Sequence, residues 1–419
     1  MISQLRREGS QRWSMNSLMK NRVFLIVLTA DLLQQMGIWI RNMALLFYIM
    51  DQTNNNPTAV SLLTALEYLP IFIFSLIGGT FADRWNPKKT VILGDTLSAL
   101  SMLAILYLVS IGVWQAVFAA TVVSAIVSQF SQPSSAVLFK KHIQNELVGT
   151  AVGFNQSLMA LFTIFGPMLG TFVYTQLGIT SSITALIMIF TLAAFIQLFL
   201  PSSNRTERVS KTSPLKDIKE GFTYVMSNTN LKLIAIMFLI SGLGWGITQP
   251  LDVFVTMERL GLPKENVQWF AASEGVGMLV GGAIAAVLAA KISRHRRVII
   301  SVTMAIWAFI TVVEVLSVWP LVTASARVLS GVATAFFQVT FSAMMIEEIK
   351  EEYIGRTNGI MIPLMMGGML LGSASSGFIV NHLDLMGTYF LAAGITLSCV
   401  IFTLRLKTNP MKDDVVSNV

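Results

Sequence analysis

Apolar residues dominate the chain in long runs that are separated by short polar segments. Twelve runs are long enough for the roughly 20 residues that a helix needs to cross the hydrocarbon core of a membrane. They lie near residues 22–49, 58–82, 90–111, 114–137, 148–176, 181–200, 231–256, 267–290, 298–318, 321–345, 356–381 and 385–405. The pattern predicts an all-α membrane protein with twelve transmembrane helices.

Composition and charge agree with a membrane location and indicate an orientation. Hydrophobic residues make up 54% of the chain and charged residues 12%, whereas soluble proteins have about 25% charged residues. The net charge of +7 comes from Lys and Arg residues that lie mostly before the first run and in alternate loops. By the positive-inside rule, these loops and both termini are cytoplasmic. We therefore expect a multi-pass protein of the plasma membrane with no nucleic-acid partner.

Residues with catalytic or metal-binding chemistry are sparse in the sequence. The three histidines, His142, His295 and His382, lie in loops or at the ends of runs, and the single cysteine, Cys399, lies in the last run. The sequence has no Gly-x-x-x-x-Gly-Lys loop for a nucleotide. We expect no enzyme activity, no metal site and no cofactor other than the proton gradient as energy source.

An internal repeat divides the sequence into two halves. Residues 145–154 match residues 351–360, and Val91 aligns with Val298 at nearly the same separation. Duplicated bundles are common in transporters. We predict a cytoplasmic N-terminal segment, a six-helix bundle, a cytoplasmic linker with a short amphipathic helix, a second six-helix bundle and a cytoplasmic tail. Their bounds are 1–21, 22–200, 201–230, 231–406 and 407–419.

A polar loop, "GGTFADRWNPKK" at 78–89, follows the second run. Its residues Gly79, Asp83, Arg84, Lys88 and Lys89, in a chain of six plus six helices, resemble the loop signature of the major facilitator superfamily. The resemblance implies two bundles that transport a small molecule by alternating access. Glycine allows a close helix approach, and Asp83 can pair with a cation or a helix N-terminus. We expect the loop to latch the cytoplasmic ends of the bundles; the alternative is a basic loop that only sets topology.

The same loop departs from the family signature at one position. Asn86 stands where the usual second glycine would be, and asparagine tolerates left-handed turn geometry.

Two other segments resemble the exporters of this superfamily. "FGPMLG" at 165–170, with Gly166, Pro167 and Gly170, is similar to the Gly-Pro motif of the antiporter branch. Residues 217–234 resemble the stretch before the seventh helix in the macrolide-efflux and enterobactin-exporter group. Proton-coupled drug exporters usually carry an arginine in the fourth helix within an Arg-x-x-x-Gly pattern, and this arginine is missing from the fourth run. Arg327 and Gly331 have the Arg-x-x-x-Gly spacing, but they lie in the tenth run. The resemblance implies export, and proton coupling would need a different arrangement of residues.

Charged residues inside the runs are the most informative about function. Inserting each of them at the membrane centre costs about 2.5 to 3.5 kcal/mol, so each is expected to have a partner or a role. Residues at equal distances from the turn between two consecutive runs lie at the same depth in the membrane. This counting places Arg41 at the depth of Glu67, and Glu314 at the depth of Arg327. Each pair is a structural ion pair or part of a functional site.

Four carboxylates are candidates for proton coupling. Asp252 and Glu274 lie level across a turn, and adjacent carboxylates disfavour double ionisation, so that one of them would bind a proton. For Asp31, the sequence indicates no ion-pair partner on the same helix. Glu67 is a candidate because it lies at the same depth as Arg41. Hydration of Asp252 near the outer end is the alternative for that residue.

Polar and aromatic residues recur in the first, fourth, seventh and tenth runs, which line the central cavity in the family fold. Such groups are tolerated at membrane depth where they face water or protein. The candidates for the cavity and for substrate binding are Gln34, Gln35, Arg41, Gln129, Trp245, Gln249, Arg327, Phe337, Gln338 and, in the methionine-rich eleventh run, Met365. Hydrogen bonding and packing between helices are the alternative for each of them.

These patterns lead to one main hypothesis of function. The chain is expected to be a monomeric secondary exporter of lipophilic or amphiphilic small molecules, of multidrug or macrolide type, driven by proton antiport. One alternative is export of a single physiological metabolite, such as a siderophore or a lysophospholipid. An alternative of another class is a transport-inactive membrane sensor or scaffold.

Overall fold

The computed structural model describes residues 18–75, 86–201, 214–350 and 353–406, and its long elements are α-helices. We number them α1 (Arg22–Gln52), α2 (Pro57–Ser75), α3 (Pro87–Ser110), α4 (Ala116–His142), α5 (Asn145–Gln197), α6 (Pro214–Ser227), α7 (Thr229–Thr248), α8 (Val267–Val287), α9 (Arg296–Leu316), α10 (Pro320–Glu348) and α11 (Ile354–Leu404). Between α7 and α8, short helical turns cover Gln249–Leu251, Asp252–Phe254 and Val255–Arg259.

The apolar helices have the length that a membrane requires. In the described ranges, nine helices are long and apolar enough to cross a bilayer, and Ala116–Gln129 is a shorter apolar segment. Two of the nine are 51 residues long, which is about 75 Å of helix and far more than one crossing needs. The count of twelve crossings stays a prediction.

The two long helices are broken where the sequence pattern separates consecutive runs. In α5, Gly178 has a φ of 71°, and in α11, Asp384 has a φ of 60°. These left-handed conformations end one helical segment and begin the next. The Asp384 side chain then caps the second segment, because its Oδ1 accepts a hydrogen bond of 2.7 Å from the Gly387 N–H.

Tertiary contacts divide the chain into two compact units. The first contains Met1–Tyr48 and Ile77–Ser210, and the second contains Ile49–Leu76 and Lys211–Val419. The boundary between Ser210 and Lys211 falls inside the predicted linker. The second unit also takes in α2, which packs along α11: Gly377 lies against Thr58, and Asn381 Nδ2 donates a hydrogen bond of 3.1 Å to Thr58 Oγ1. The predicted division into bundles 22–200 and 231–406 stays a prediction.

In the first unit, the "FGPMLG" motif packs α5 against α1. A methyl group added at Gly166 would overlap the Trp39 ring, and one added at Gly170 would overlap the Trp39 carbonyl oxygen. Because the two glycines are four residues apart, they lie on one face of α5 and let the helices approach closely. The motif thus has a packing role within this unit.

In the second unit, glycines on both helices let α7 and α11 pack backbone to backbone. A methyl at Gly242 or Gly246 would overlap the carbonyl of Met365 or Met369, and one at Gly368 or Gly372 would overlap carbonyls of α7. The contacts of the α7 glycines with α11 give them a packing role.

The helix α6 lies where the sequence predicts a short amphipathic helix. Val225 on its apolar face is fully buried in the core of the second unit. On its polar side, the Tyr224 ring stacks on that of Tyr353 with centroids 4.2 Å apart, and Glu220 Oε2 lies 3.2 Å from Arg356 Nη1. These contacts attach α6 to the start of α11.

Candidate functional site

Three carboxylates surround the guanidinium group of Arg327 in the second unit. Asp252 Oδ1 lies 2.6 Å from Nη2 and Asp252 Oδ2 lies 3.1 Å from Nη1. Glu274 Oε2 lies 3.3 Å from Nη1, and Glu314 Oε1 lies 2.7 Å from Nε. Each acid comes from a different segment. Asp252 lies in the turns after α7, Glu274 lies on α8 and Glu314 lies on α9. We call these four residues the Arg327 cluster.

Close packing of α8 on α10 brings Glu274 to Arg327. A methyl group at Gly277 of α8 would overlap the Val328 carbonyl, and one at Gly331 of α10 would overlap the Glu274 carbonyl. Gly331 is one helical turn after Arg327, so the helix backbones are closest beside the ion pair. This explains the Arg-x-x-x-Gly spacing of the tenth run in terms of packing.

The segment after α7 presents Asp252 to the cluster. Pro250 lies in a 3₁₀ turn, Gln249–Leu251, and five residues, Val255–Arg259, form a π-helical turn soon after it. Such interruptions are frequent at functional sites, because they redirect side chains that a regular helix would place elsewhere. The Tyr389 hydroxyl of α11 donates a hydrogen bond of 3.2 Å to Asp252 Oδ1, so α11 also contacts the cluster.

The electrostatic balance of the Arg327 cluster is acidic. Three carboxylates and one guanidinium carry a charge of −2 when all are ionised. Glu314 and Arg327 are the most buried, with side chains 7% and 11% exposed, and Asp252 is 25% exposed. Excess charge in a poorly solvated site is unfavourable, and a bound proton reduces it. The arrangement is therefore suited to bind and release protons.

A small cavity adjoins the cluster. Its volume is about 60 Å³, and it is lined by Asp252, Glu274 and Arg327 together with Thr256, Thr323 and apolar side chains such as Phe270. Thr323 is 2% exposed, and its Oγ1 has no hydrogen-bond partner. One water molecule needs about 10–15 Å³ of such space. The cavity can therefore hold water beside the carboxylates.

The geometry of the cluster agrees with the turn counting and extends it. Glu314 contacts Arg327, as the counting predicts, and Asp252 and Glu274 meet on the same guanidinium group. The sequence did not predict this shared cation, nor the contact of Tyr389. Tyr389 is an uncharged residue in an apolar run, so no feature of the pattern singles it out.

Among the site candidates of the first unit, Gln34 and Arg41 make polar contacts outside the Arg327 cluster. Gln34 Nε2 donates to Asp95, a residue that the sequence analysis missed. Arg41, 4% exposed, contacts Ser124 through Nη1 and Asn42 Oδ1 through Nε at 3.0 Å. Asp31 is buried, whereas Gln35 and Gln129 are half-buried. The pairing of Arg41 with Glu67 joins residues of the two units and stays a prediction.

The remaining candidates of the second unit lie on α2, α7, α10 and α11 and in the turn after α7. Gln249 Oε1 accepts a hydrogen bond of 2.7 Å from the Tyr68 hydroxyl. Phe337 is buried between the rings of Trp307 and Phe238, with centroids 5.2 and 5.9 Å away, which gives it a packing role. Trp245 and Gln338 are exposed, and Met365 and Glu67 are half-buried.

The predicted latch is described in part. Gly79, Asp83 and Arg84 lie outside the described residues. Lys88 Nζ donates hydrogen bonds to the carbonyl oxygens of Leu198, at 2.9 Å, and Leu200. These carbonyls follow the C-terminal end of α5, where a cation is stabilised by the helix dipole. Asn86 has a φ of −73°, so it does not use the left-handed geometry that asparagine tolerates; its Oδ1 caps α3 by accepting a hydrogen bond of 3.3 Å from the Lys89 N–H.

Long apolar helices with a cluster of ionisable side chains buried between them define a multi-pass membrane protein. Within the described ranges, no group of His, Cys, Asp and Glu has the arrangement of a metal site. The chain matches the family model of the Major Facilitator Superfamily over residues 27–313 and 234–417. It belongs to this superfamily of transporters.

Its curated relatives include exporters. The chain is 26% identical to the uncharacterized MFS-type transporter YkuC of Bacillus subtilis, over 83% of each chain. It is 22% identical to macrolide efflux protein A of Streptococcus pyogenes, over 86% of this chain and 90% of the relative. It is 24% identical to the enterobactin exporter EntS of Escherichia coli, over 95% of this chain and 96% of the relative.

A solved structure supports the fold. The nucleoside transporter NupG superposes with a TM-score of 0.72 and 13% identity, over 92% of this chain and all of NupG. At this identity the likeness concerns the fold alone. Fold and family are those of transporters that act on small molecules.

Proposed function

We propose that this protein is a monomeric secondary exporter of lipophilic or amphiphilic small molecules, driven by proton antiport, with both termini in the cytoplasm. The observation that carries the proposal is the Arg327 cluster, in which one buried cation is shared by three carboxylates. The direction of transport rests on the similarity to macrolide efflux protein A and EntS.

The cluster offers a physical way to couple proton binding to helix movement. Asp252, Glu274 and Glu314 each attach a different segment to α10 through Arg327. Protonation of Glu314 removes its attraction for the guanidinium group, which then pairs with the two other acids. Both the charge of the site and the contact between α9 and α10 change with the proton. A substrate that binds one of the two arrangements more tightly would thereby exchange for the proton.

Residues of the second unit supply a partly apolar binding surface. Trp245 exposes 48% of its surface beside Gln249, whose amide is held by Tyr68. Met365 lies half-buried on α11, and methionine adapts its shape to varied ligands. An aromatic ring, an amide and a thioether suit a lipophilic molecule with a few hydrogen-bonding groups.

Glu314→Gln tests the proton coupling. Reconstituted vesicles would be loaded with protein, and transport of a radiolabelled macrolide would be measured with and without an imposed pH gradient. In the native protein, the gradient is expected to accelerate transport. In Glu314→Gln, the acceleration is expected to fall by about tenfold, which corresponds to about 1.4 kcal/mol, because the amide cannot take up and release the proton. Exchange of macrolide without a gradient should persist.

Glu258→Gln is the matched control, since Glu258 is exposed on the π-helical turn and lies outside the cluster. It should respond to the gradient like the native protein. Full gradient dependence in Glu314→Gln would refute the assigned role of Glu314.

Export of a siderophore is the second candidate, because the match to EntS extends over 95% of the chain. The same vesicles would distinguish the two by competition between the macrolide and enterobactin. Transport of either compound excludes a transport-inactive sensor or scaffold.

A further inference from the structure

A second buried acid lies in the first unit, on α3. Asp95 is 2% exposed, and Gln34 Nε2 of α1 lies 2.9 Å from both of its carboxylate oxygens. In the described part of the chain, the partners of Asp95 are amides and not a cation. An ionised carboxylate without a cation is costly in a buried site. Its environment therefore differs from that of the Arg327 cluster.

Among the described residues no cation contacts Asp95, and this favours its protonated form. A buried carboxyl group avoids the cost of an unpaired charge by binding a proton. Gln197, in the last turn of α5, is a second amide near Asp95 and is 2% exposed.

The charged surroundings of Asp95 favour the same protonation state. The helices α4 and α5 pack against α3, and α1 reaches Asp95 through Gln34. From α5 the facing group is the neutral Gln197, and from α1 the charged neighbour is Asp31, which is itself 8% exposed. Two carboxylates close together in a buried site disfavour double ionisation.

We infer that Asp95 is a proton-binding site of the first unit, with Gln34 donating a hydrogen bond to the carboxyl group. The proton comes from water and returns to it, and no other group is changed. Proton binding at Asp95 in the resting protein does not depend on the Arg327 cluster, which belongs to the second unit.

Infrared difference spectroscopy of the reconstituted protein tests this site. Spectra recorded between neutral and alkaline buffer show the C=O stretch of each carboxyl group that loses its proton. We expect Asp95→Asn to remove one component of this band, and Gln34→Leu to move that component to higher wavenumber, because the protonated carboxyl group loses the hydrogen bond that Gln34 donates. Glu314→Gln should leave the component in place.

Gln35→Leu provides the matched control, because Gln35 is also a half-buried glutamine of α1 and is adjacent to Gln34. It should change neither the intensity nor the position of the component. An unchanged band in Asp95→Asn would overturn the inference, since it would mean that Asp95 releases no proton between neutral and alkaline buffer. A band that Asp95→Asn removes but Gln34→Leu does not move would overturn the assigned role of Gln34.

Discussion

Arg327→Met is expected to abolish transport and to lower the stability of the folded protein by about 3–5 kcal/mol. Methionine fills a similar volume but leaves the carboxylates of Asp252, Glu274 and Glu314 without their shared cation. Breaking a buried ion pair from one side is much more costly than replacing the whole pair. Thermal unfolding in detergent and macrolide efflux from vesicles would measure the two effects.

Two variants serve as controls for this loss. Arg259→Met removes an arginine whose Nε donates to the Val315 carbonyl at 2.7 Å, outside the cluster, and should cost about 1 kcal/mol. Arg327→Lys keeps the charge but not the planar fork, and is expected to be intermediate. If Arg327→Met were as stable and active as the native protein, the cluster would have neither a structural nor a functional role.

Gly277→Ala is expected to produce the second large effect. The added methyl group would overlap the Val328 carbonyl of α10, so α8 and α10 must separate and Glu274 must move away from Arg327. Overpacking of this kind costs about 1–3 kcal/mol, and we expect transport to fall with it. The measurements are again the unfolding temperature and macrolide efflux.

Gly282→Ala is a matched control on the same helix, because no atom lies within 4 Å of a methyl group added at Gly282. In helices, alanine is more favourable than glycine by up to about 1 kcal/mol, so this variant should be neutral or slightly stabilised. Equal stability of the two variants would show that the approach of α8 to α10 does not position Glu274.

The sequence predicted those features of the protein that depend on local pattern. Apolar runs predicted the long helices, and separate runs predicted the breaks at Gly178 and Asp384. Residues equally distant from a tight turn lie at the same depth in adjacent antiparallel helices, which is why Glu314 could be matched to Arg327. This reasoning depends only on the helix rise and on the position of the turn.

Features that depend on the rotation of helices could not be predicted in this way. Depth counting does not say which face of a helix turns toward a neighbour, so it missed that Arg327 contacts three acids. Asp95 lies early in its run, where a charge is compatible with exposure at the membrane surface, yet it is 2% exposed. The run of Phe337 makes it a candidate for the cavity or for packing between helices, and its ring lies between those of Trp307 and Phe238, which favours packing.

Proton movement driven by substrate alone is the most direct test of antiport through the Arg327 cluster. Vesicles with no imposed pH gradient would enclose a pH-sensitive dye and receive an outward or inward gradient of macrolide. We predict that protons move opposite to the macrolide in the native protein and that Glu314→Gln abolishes their movement while macrolide still equilibrates. Macrolide flux in the native protein without any opposing proton flux would contradict proton antiport through the Arg327 cluster.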